Sequence, residues 1–260
     1  MIAITDSPYP KRNILGMPLH WVNKSGVNDF IGTVIERGAQ SLVLNLNIHC
    51  VCLAQRETWM KAFFQKAGLV FCDGDGVRLG MRLLGYRPPE KMTYDRWIWD
   101  LAEFCDKRRY RLYFLGAKPG IAEEAAQKLR SRFPALQICG AHHGYFQVQG
   151  PENEALIRQI NLLKPHLLIL GMGMPLQEAW LRDYGSRLAV NIFLTGGAVF
   201  DYASGRAKRS PDWMIRCRLE WLHRILQEPG RLSGRYATEI PYFFYRILKA
   251  KLGWDSREAK

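Results

Sequence analysis

The sequence predicts an α/β protein with a Rossmann-like, mostly parallel sheet and helices on both faces, followed by a helical C-terminal appendage. Three observations predict it. Short leucine-rich or β-branched runs recur along the first 200 residues, each followed by a helical pattern, and strands alternating with helices at that spacing give parallel sheets. Two of these runs end in glycine turns, at Gly171–Gly173 and Gly196–Gly197. The composition shifts after about Gly205, where arginines recur among tryptophans and leucines. The chain accordingly divides into an α/β body over residues 1–204 and a basic, aromatic-rich helical appendage over 205–260.

The elements follow in order. Ser41-Leu42-Val43-Leu44-Asn45-Leu46-Asn47, Leu69-Val70-Phe71-Cys72 and Arg111-Leu112-Tyr113-Phe114-Leu115-Gly116 read as strands. The third runs through Pro119-Gly120 into a helix from Ile121 to Phe133, with Glu123 and Glu124 early and Lys128, Arg130 and Arg132 late. That order complements the helix dipole. His166 to Gly171 is a buried strand, and a helix opens near Pro175. Asn191 to Gly197 repeats the strand-then-glycine design. In the appendage, Asp212 is placed to cap a helix carrying Ile215, Leu219, Leu222 and Leu226 on one stripe, with Pro229-Gly230 ending it. A second helix follows Pro241, with Tyr242 to Tyr245, Ile247, Leu248 and Leu252 among Arg246, Lys249 and Lys251, closed by Trp254.

The 260 residues are 48% hydrophobic and 23% charged, which excludes disorder. The net charge of +13 is unusual and implies attraction to nucleic acid, anionic lipid or phosphorylated ligands. From Gly205 to Lys260, thirteen Lys and Arg stand against six Asp and Glu. Tyrosine and tryptophan beside lysine on an apolar helix are an interfacial composition, so an anionic membrane surface is an expected partner. The first residues show no basic segment leading into an apolar core, so no export signal is expected, and no apolar run approaches a bilayer span. The six cysteines are scattered without paired CxxC units and read as buried free thiols; Cys50 and Cys52 share a face if their segment is a strand.

Several motifs can carry chemistry. Asp73-Gly74-Asp75-Gly76-Val77 follows a strand directly; an aspartate at a strand end in a cleft suits a general base, Asp73 with Asp75 also forms an Asp-x-Asp pair of the kind that holds a divalent cation, and Asp-Gly is equally a common surface turn. Gly171 to Glu178 is a strand–turn–helix corner whose amides suit a phosphate, with Gln177 as a further donor, although the third glycine of a dinucleotide fingerprint is missing. Gly196-Gly197 precedes Asp201, a carboxylate able to accept from a ribose hydroxyl or a base. His142-His143 lacks a third metal ligand, and the neighbouring Tyr145 reads better as a platform for stacking a base.

Taken in order, these motifs resemble the WecG/TagA/CpsF glycosyltransferase family from about Asn13 to Tyr236. The matching segments are Asp73 to Val77, Leu115 to Gly120, His143 to Phe146, Gly173 to Glu178, and Gly196-Gly197 with Phe200-Asp201. In the tail they are Lys208 to Pro211, Glu220 to Arg224 and Glu228 to Leu232. The resemblance implies an inverting, metal-independent transfer, without cofactor, from a UDP-sugar donor to an undecaprenyl-diphosphate-linked acceptor at the cytoplasmic face of the plasma membrane. It implies Asp73 as base, with Arg224 and Arg231 reaching over the site to the donor diphosphate. It further implies a substrate pocket of Asn45, Asn47, Lys91, Tyr145, Gln177, Glu178, Gly196, Gly197 and Asp201.

The chain departs from the family pattern at three places: Asn45-Leu46-Asn47 for Thr-x-Asn, Lys91-Met92-Thr93-Tyr94-Asp95-Arg96-Trp97 for Arg-Val-x-Gly-x-Asp-Leu, and Gly234 at an often basic position. The segment with Tyr94 and Trp97 looks closer to exopolysaccharide members such as the xanthan glucosyltransferase, so glucosyl transfer to a lipid-linked glucose is the expectation. Transfer of N-acetylmannosamine or N-acetylmannosaminuronic acid is the alternative. Outside this class stand a basic nucleic-acid-binding module, against which no RNP-like, helix-turn-helix or zinc pattern appears, and a nicotinamide oxidoreductase, against which the missing fingerprint counts. Nucleic acid is therefore not an expected partner; a homo-oligomer stays open.

Overall fold

The computed structural model describes residues 6–254. Residues 1–5, within the stretch that bears on an export signal, and the last six residues of the basic tail lie outside them.

A hairpin of β1 (Lys11–Ile14) and β2 (Met17–His20) leads into α1 (Lys24–Glu36). The body continues with β3 (Ser41–Leu46), α2 (Ile48–Arg56), α3 (Thr58–Gln65), β4 (Leu69–Cys72), α4 (Asp75–Leu83), α5 (Tyr94–Arg108), β5 (Arg111–Gly116), α6 (Ile121–Arg132) and β6 (Gln137–His142). It closes with α7 (Pro151–Leu163), β7 (Leu167–Gly171), α8 (Leu176–Tyr184), β8 (Ile192–Thr195) and α9 (Val199–Ala203). The tail holds α10 (Asp212–Arg216), α11 (Glu220–Gln227) and α12 (Pro229–Lys251).

Strands β3 to β8 form one six-stranded parallel sheet in the order β4-β3-β8-β7-β5-β6. The alternation of side chains explains its two faces. Val43, Leu167, Ile169, Ile192 and Leu194 point into a core built with α1, α5, α6 and α9. Leu44, Leu46, Leu168, Leu170 and Phe193 point the other way, into a core with α2, α3, α4, α7 and α8. Chain progression runs outward through β4 on one side and through β6 on the other. The strand order therefore reverses near the middle of the sheet, where a crevice opens at the carboxyl ends.

The five expected strands are present. The hairpin escaped the sequence reading because its turn, Leu15-Gly16, puts both residues at positive φ without the usual Asn-Gly or Asp-Gly. The hairpin matters for the sheet: the Val70 amide of edge strand β4 donates to His20 Nδ1 at 2.9 Å, which closes part of an otherwise open edge. Cys50 and Cys52 lie on α2, not on a strand, and the six cysteines are free.

The tail corrects two expectations. The single helix from Asp212 is broken at Arg218, which sits at φ +60, into α10 and α11. Pro229 does end α11, but as the first residue of α12 it also starts a 23-residue helix that runs through Pro241. An internal proline costs about 3 kcal/mol. Burial offsets it, because Leu232, Glu239, Phe243 and Ile247 form one stripe and both Phe243 and Ile247 are fully enclosed in the second core. Phe243 closes directly on Gly80 of α4, where a Cβ would come within 2.7 Å of its ring.

His20 is 2% exposed, and burial lowers its pKa to about 4; accepting from the Val70 amide also needs the ring's lone pair. The folded state therefore binds this proton less readily than the unfolded chain. The stabilisation is complete above pH 6.5 and is lost as pH falls towards 4, by roughly 3 kcal/mol at most. Denaturant titrations across pH 4–7 are expected to show that loss in the native protein and a flatter profile in His20→Asn, whose amide oxygen keeps the bond to Val70.

Candidate active site

The carboxyl ends of six strands at about 4.8 Å spacing make an edge roughly 24 Å long. Two of those ends, Gly116 of β5 and Gly171 of β7, are glycines pressed together against the turn that follows β8. A Cβ on Gly116, which sits at φ +151, would meet the Gly171 backbone at 2.3 Å. One on Gly171 would meet the Phe200 ring at 2.7 Å and the Gly197 carbonyl at 2.9 Å. Only glycine lets β5, β7 and β8 converge so closely. Beyond them Gly173 and Gly197, at φ +82 and +56, face open space, where backbone can approach a ligand.

Gln177 braces this arrangement. Its Oε1 accepts from the amides of Gly173 and Gly197 at 3.2 and 3.3 Å, and its Nε2 donates to Glu178 Oε1 at 2.8 Å. Gln177 and Glu178 are both fully enclosed. In this arrangement they shape the Gly173 and Gly197 turns from beneath; Gly196 and Gly197 lie on the rim they brace. Glu178 Oε2 and Thr195 Oγ1 are buried with no hydrogen-bond partner in the protein.

Asp73 stands at the end of β4, its amide bonded to the Leu46 carbonyl at 2.9 Å. Asn45 Nδ2 and Asn47 Nδ2 both donate to Asp73 Oδ2, at 2.8 and 3.3 Å. Asn47 is also the N-cap of α2, accepting from the Cys50 amide at 3.0 Å. Burial pushes the Asp73 carboxyl above the ordinary aspartate value, while the two asparagines and the Arg224 guanidinium act against that rise. Asp75, two residues on, is committed elsewhere: it accepts from Arg78 at 3.2 Å and from Lys91 at 2.7 Å. The two carboxylates thus keep separate partners. Among the described residues no three of His, Cys, Asp and Glu gather as a metal cluster.

Lys91 also bonds Glu220 of α11, so this cation joins the body to the tail. Burial opposes its charge, and the bonds to Asp75 and Glu220 outweigh it, leaving the pKa above that of an ordinary lysine. The tail brings two arginines to the same edge. Arg224 lies within electrostatic reach of Tyr202, Tyr236 and Asp73, and Arg231, bonded to Glu228 at 2.6 Å, lies within reach of Asp201. Burial raises the Asp201 carboxyl. Tyr145 stands exposed on the loop after β6, at the far end of the edge from Asp73. His142 Nδ1 pairs with the His143 carbonyl at 2.8 Å. The structure therefore gathers Asn45, Asn47, Asp73, Lys91 and Arg224 at one end and Gly196, Gly197, Asp201 and Arg231 towards the middle, and Tyr145 follows Gly144, which packs on Gly116 and Met172.

Sequence reasoning missed Glu220 as the partner of Lys91, and Tyr202 and Tyr236 beside Arg224. The Glu-Trp-Leu-x-Arg segment contained Glu220, but nothing local pairs it with a residue 129 positions away.

Burial raises the Glu178 carboxyl to about 7. The unfolded chain releases this proton near pH 4.5 and the folded protein only near 7, so stability declines as pH rises between those values, by about 3 kcal/mol at most. Glu178→Gln is expected to melt higher than the native protein at pH 8 and to lose that advantage at pH 5, as calorimetry at the two pH values can test.

Comparison with known proteins adds to this geometry. Residues 12–257 match the glycosyl transferase WecG/TagA/CpsF family. The chain is 26% identical over 247 residues, covering 95% of itself and 91% of its relative, to a Bacillus subtilis N-acetylglucosaminyldiphosphoundecaprenol N-acetyl-beta-D-mannosaminyltransferase. Proteins of the same name from Staphylococcus aureus MW2 (30% over 190 residues, 72% of this chain and 71% of the relative) and Bacillus spizizenii (26% over 218 residues, 84% and 82%) also match. These relatives overturn the expectation of glucosyl transfer, since all three carry the name of mannosaminyltransferases. The structure supplies the reason for the error: Tyr94 and Trp97, on which that expectation rested, are buried against Phe71 in the first core. The chain is a glycosyltransferase and belongs to the WecG/TagA/CpsF family.

Proposed function

We propose that this enzyme transfers N-acetylmannosamine, with inversion and without a metal ion, from UDP-N-acetylmannosamine to N-acetylglucosaminyl-diphosphoundecaprenol. The observation that carries this reading is Asp73, fixed by two asparagines at the edge of a crevice and overlooked by Arg224. The relatives' names supply the sugars.

In the proposed reaction an acceptor hydroxyl gives its proton to Asp73 as its oxygen attacks the anomeric carbon, and the bond from that carbon to the UDP β-phosphate oxygen breaks. Arg224 and Arg231 take up the charge developing on the leaving diphosphate. Arginine suits the task because it stays protonated and forks onto phosphate oxygens. Lys91 adds a third cation beside the base. The open glycine turns at Gly173 and Gly196-Gly197 let the diphosphate approach the backbone closely, Asp201 accepts from the nucleoside, and Tyr145 stacks on the uracil.

We assign residues 205–260 as the unit that covers the site and meets an anionic membrane. Among the described residues no helix is long and apolar enough to cross a bilayer. Support for peripheral contact comes from Trp213, Trp221, Tyr245, Leu248, Leu252 and Trp254, all exposed, with Lys249 and Lys251 between the last of them. In this reading the surface delivers the lipid-linked acceptor.

Transfer to a short-chain lipid-diphosphate N-acetylglucosamine is expected with UDP-N-acetylmannosamine and not with UDP-glucose, and to persist in EDTA. Asp73→Asn is expected to reduce turnover at least a hundredfold with UDP binding retained, as calorimetric titration would report; full activity in that variant would sink the base assignment. Leu248→Glu with Leu252→Glu is expected to weaken cosedimentation with anionic vesicles several-fold while solution-phase transfer to the short acceptor stays intact.

A further inference from the structure

The Tyr94 hydroxyl is buried and bonded to no protein group, and so is Asn45 Oδ1. They need what the other offers: a phenol has a proton to donate, and an amide oxygen only accepts. Buried polar atoms in native proteins are nearly always satisfied. Both atoms also lie on the same side of the sheet. Asn45 is two residues from Val43 on β3 and so shares the face turned to the first core, to which Tyr94 belongs. Each is tied to Asp73, Asn45 by its 2.8 Å bond and Tyr94 by electrostatic contact.

The local structure fixes Tyr94 there. The Met92 amide bonds the Cys72 carbonyl at 2.9 Å, which draws the start of α5 along the end of β4. The Tyr94 ring is then wedged against Phe71 and Trp97, with centroids 5.8 and 5.4 Å away. Burial also holds the phenol's pKa well above its ordinary value, so the hydroxyl keeps its proton.

We propose that Tyr94 is a positioning residue for Asp73: its hydroxyl, through one enclosed water, supplies the hydrogen bond that Asn45 Oδ1 needs. The two ends of the Asn45 amide are alike in shape, so only their partners decide which one faces Asp73. With the oxygen satisfied on the Tyr94 side, Nδ2 is turned onto the carboxylate. Without that bond the amide is free to flip and set an oxygen against an oxygen, removing one of the contacts that hold the carboxylate in its charged form. This role rests on the reading of Asp73 as the base only for its effect on rate.

The groups facing Asp73 are Arg224 from α11, Asp95 and Tyr94 from α5, Cys50 from α2 and Cys72 from β4, and Tyr94→Phe leaves all the others in place. The ring and its packing also survive in that variant, so the fold is retained. The Asp73 titration can be followed by 13C NMR of protein labelled at aspartate carboxyls, its signal identified by its absence in Asp73→Asn. In Tyr94→Phe we expect it to move up by roughly one pH unit, the size of one lost hydrogen bond to a charged group. The acid limb of the kcat/KM profile should move with it, while donor KM stays within about twofold. In an Asn45→Ala background the same substitution should leave the Asp73 titration unmoved, because the amide through which Tyr94 acts is gone. A shifted titration with an unshifted rate profile would remove Asp73 as the base and leave the positioning role standing. An unshifted titration in Tyr94→Phe, or an equal shift without Asn45, would overturn it.

Discussion

The contact on which the site depends is one between backbones. Gly116 and Gly171 bring two strand ends together with no side chain between them, and Gln177 ties the turns at Gly173 and Gly197 that follow β7 and β8. A methyl group at Gly116 or Gly171 would force the strands apart, and interiors packed at crystal density absorb such an insertion poorly. The turns are therefore held by rigid elements, with few degrees of freedom left to freeze when a ligand arrives. The asparagine pair does for a side chain what the glycines do for the backbone, since Asn45 and Asn47 grip one oxygen of Asp73 from a strand and from a helix cap.

Much of this was legible in the chain because parallel strands buried on both faces write themselves as continuous apolar runs. Leu69–Cys72 and Arg111–Gly116 have the boundaries that composition predicts. The glycine turns were legible for a related reason, as few other residues tolerate their backbone. What escaped notice was set by distant partners. Leu15-Gly16 turns without the usual turn residues, Arg218 breaks a helix whose apolar stripe reads as continuous, and α12 passes through Pro241 because Phe243 and Ile247 are buried beyond it. The site followed the same division. Asp73 was readable at its strand end and its asparagines through the family resemblance, whereas Tyr94, in the segment on which the expectation of glucose rested, proved to be core.

Beyond the Lys91–Glu220 bond, α12 is joined to the body in two ways. Its interior stripe, with Phe243 and Ile247, is part of the second core and turns its back on water. The bond between Glu239 and His49 on α2, at 2.7 Å, adds a polar tie along the same seam. Its opposite side carries exposed aromatic and aliphatic groups, so one helix serves both a dry contact within the molecule and an apolar surface outside it. The basic residues that made the tail conspicuous divide accordingly, with Arg224 and Arg231 turned to the strand ends and Lys249 and Lys251 far along α12.

The bond between Lys91 and Glu220 has a consequence for recognition. Lys91 is already neutralised twice over, by Asp75 and by Glu220, so an anion approaching it enters by exchange and not by simple addition. The incoming group must outcompete a carboxylate already held in good geometry, which dismisses monovalent anions most readily. Because one negative charge replaces another, the local charge balance changes little, and ionic strength has less leverage at this point than the +13 of the whole chain suggests. Glu220 opens α11, so in the proposed reaction such an exchange would free the start of the helix that carries Arg224.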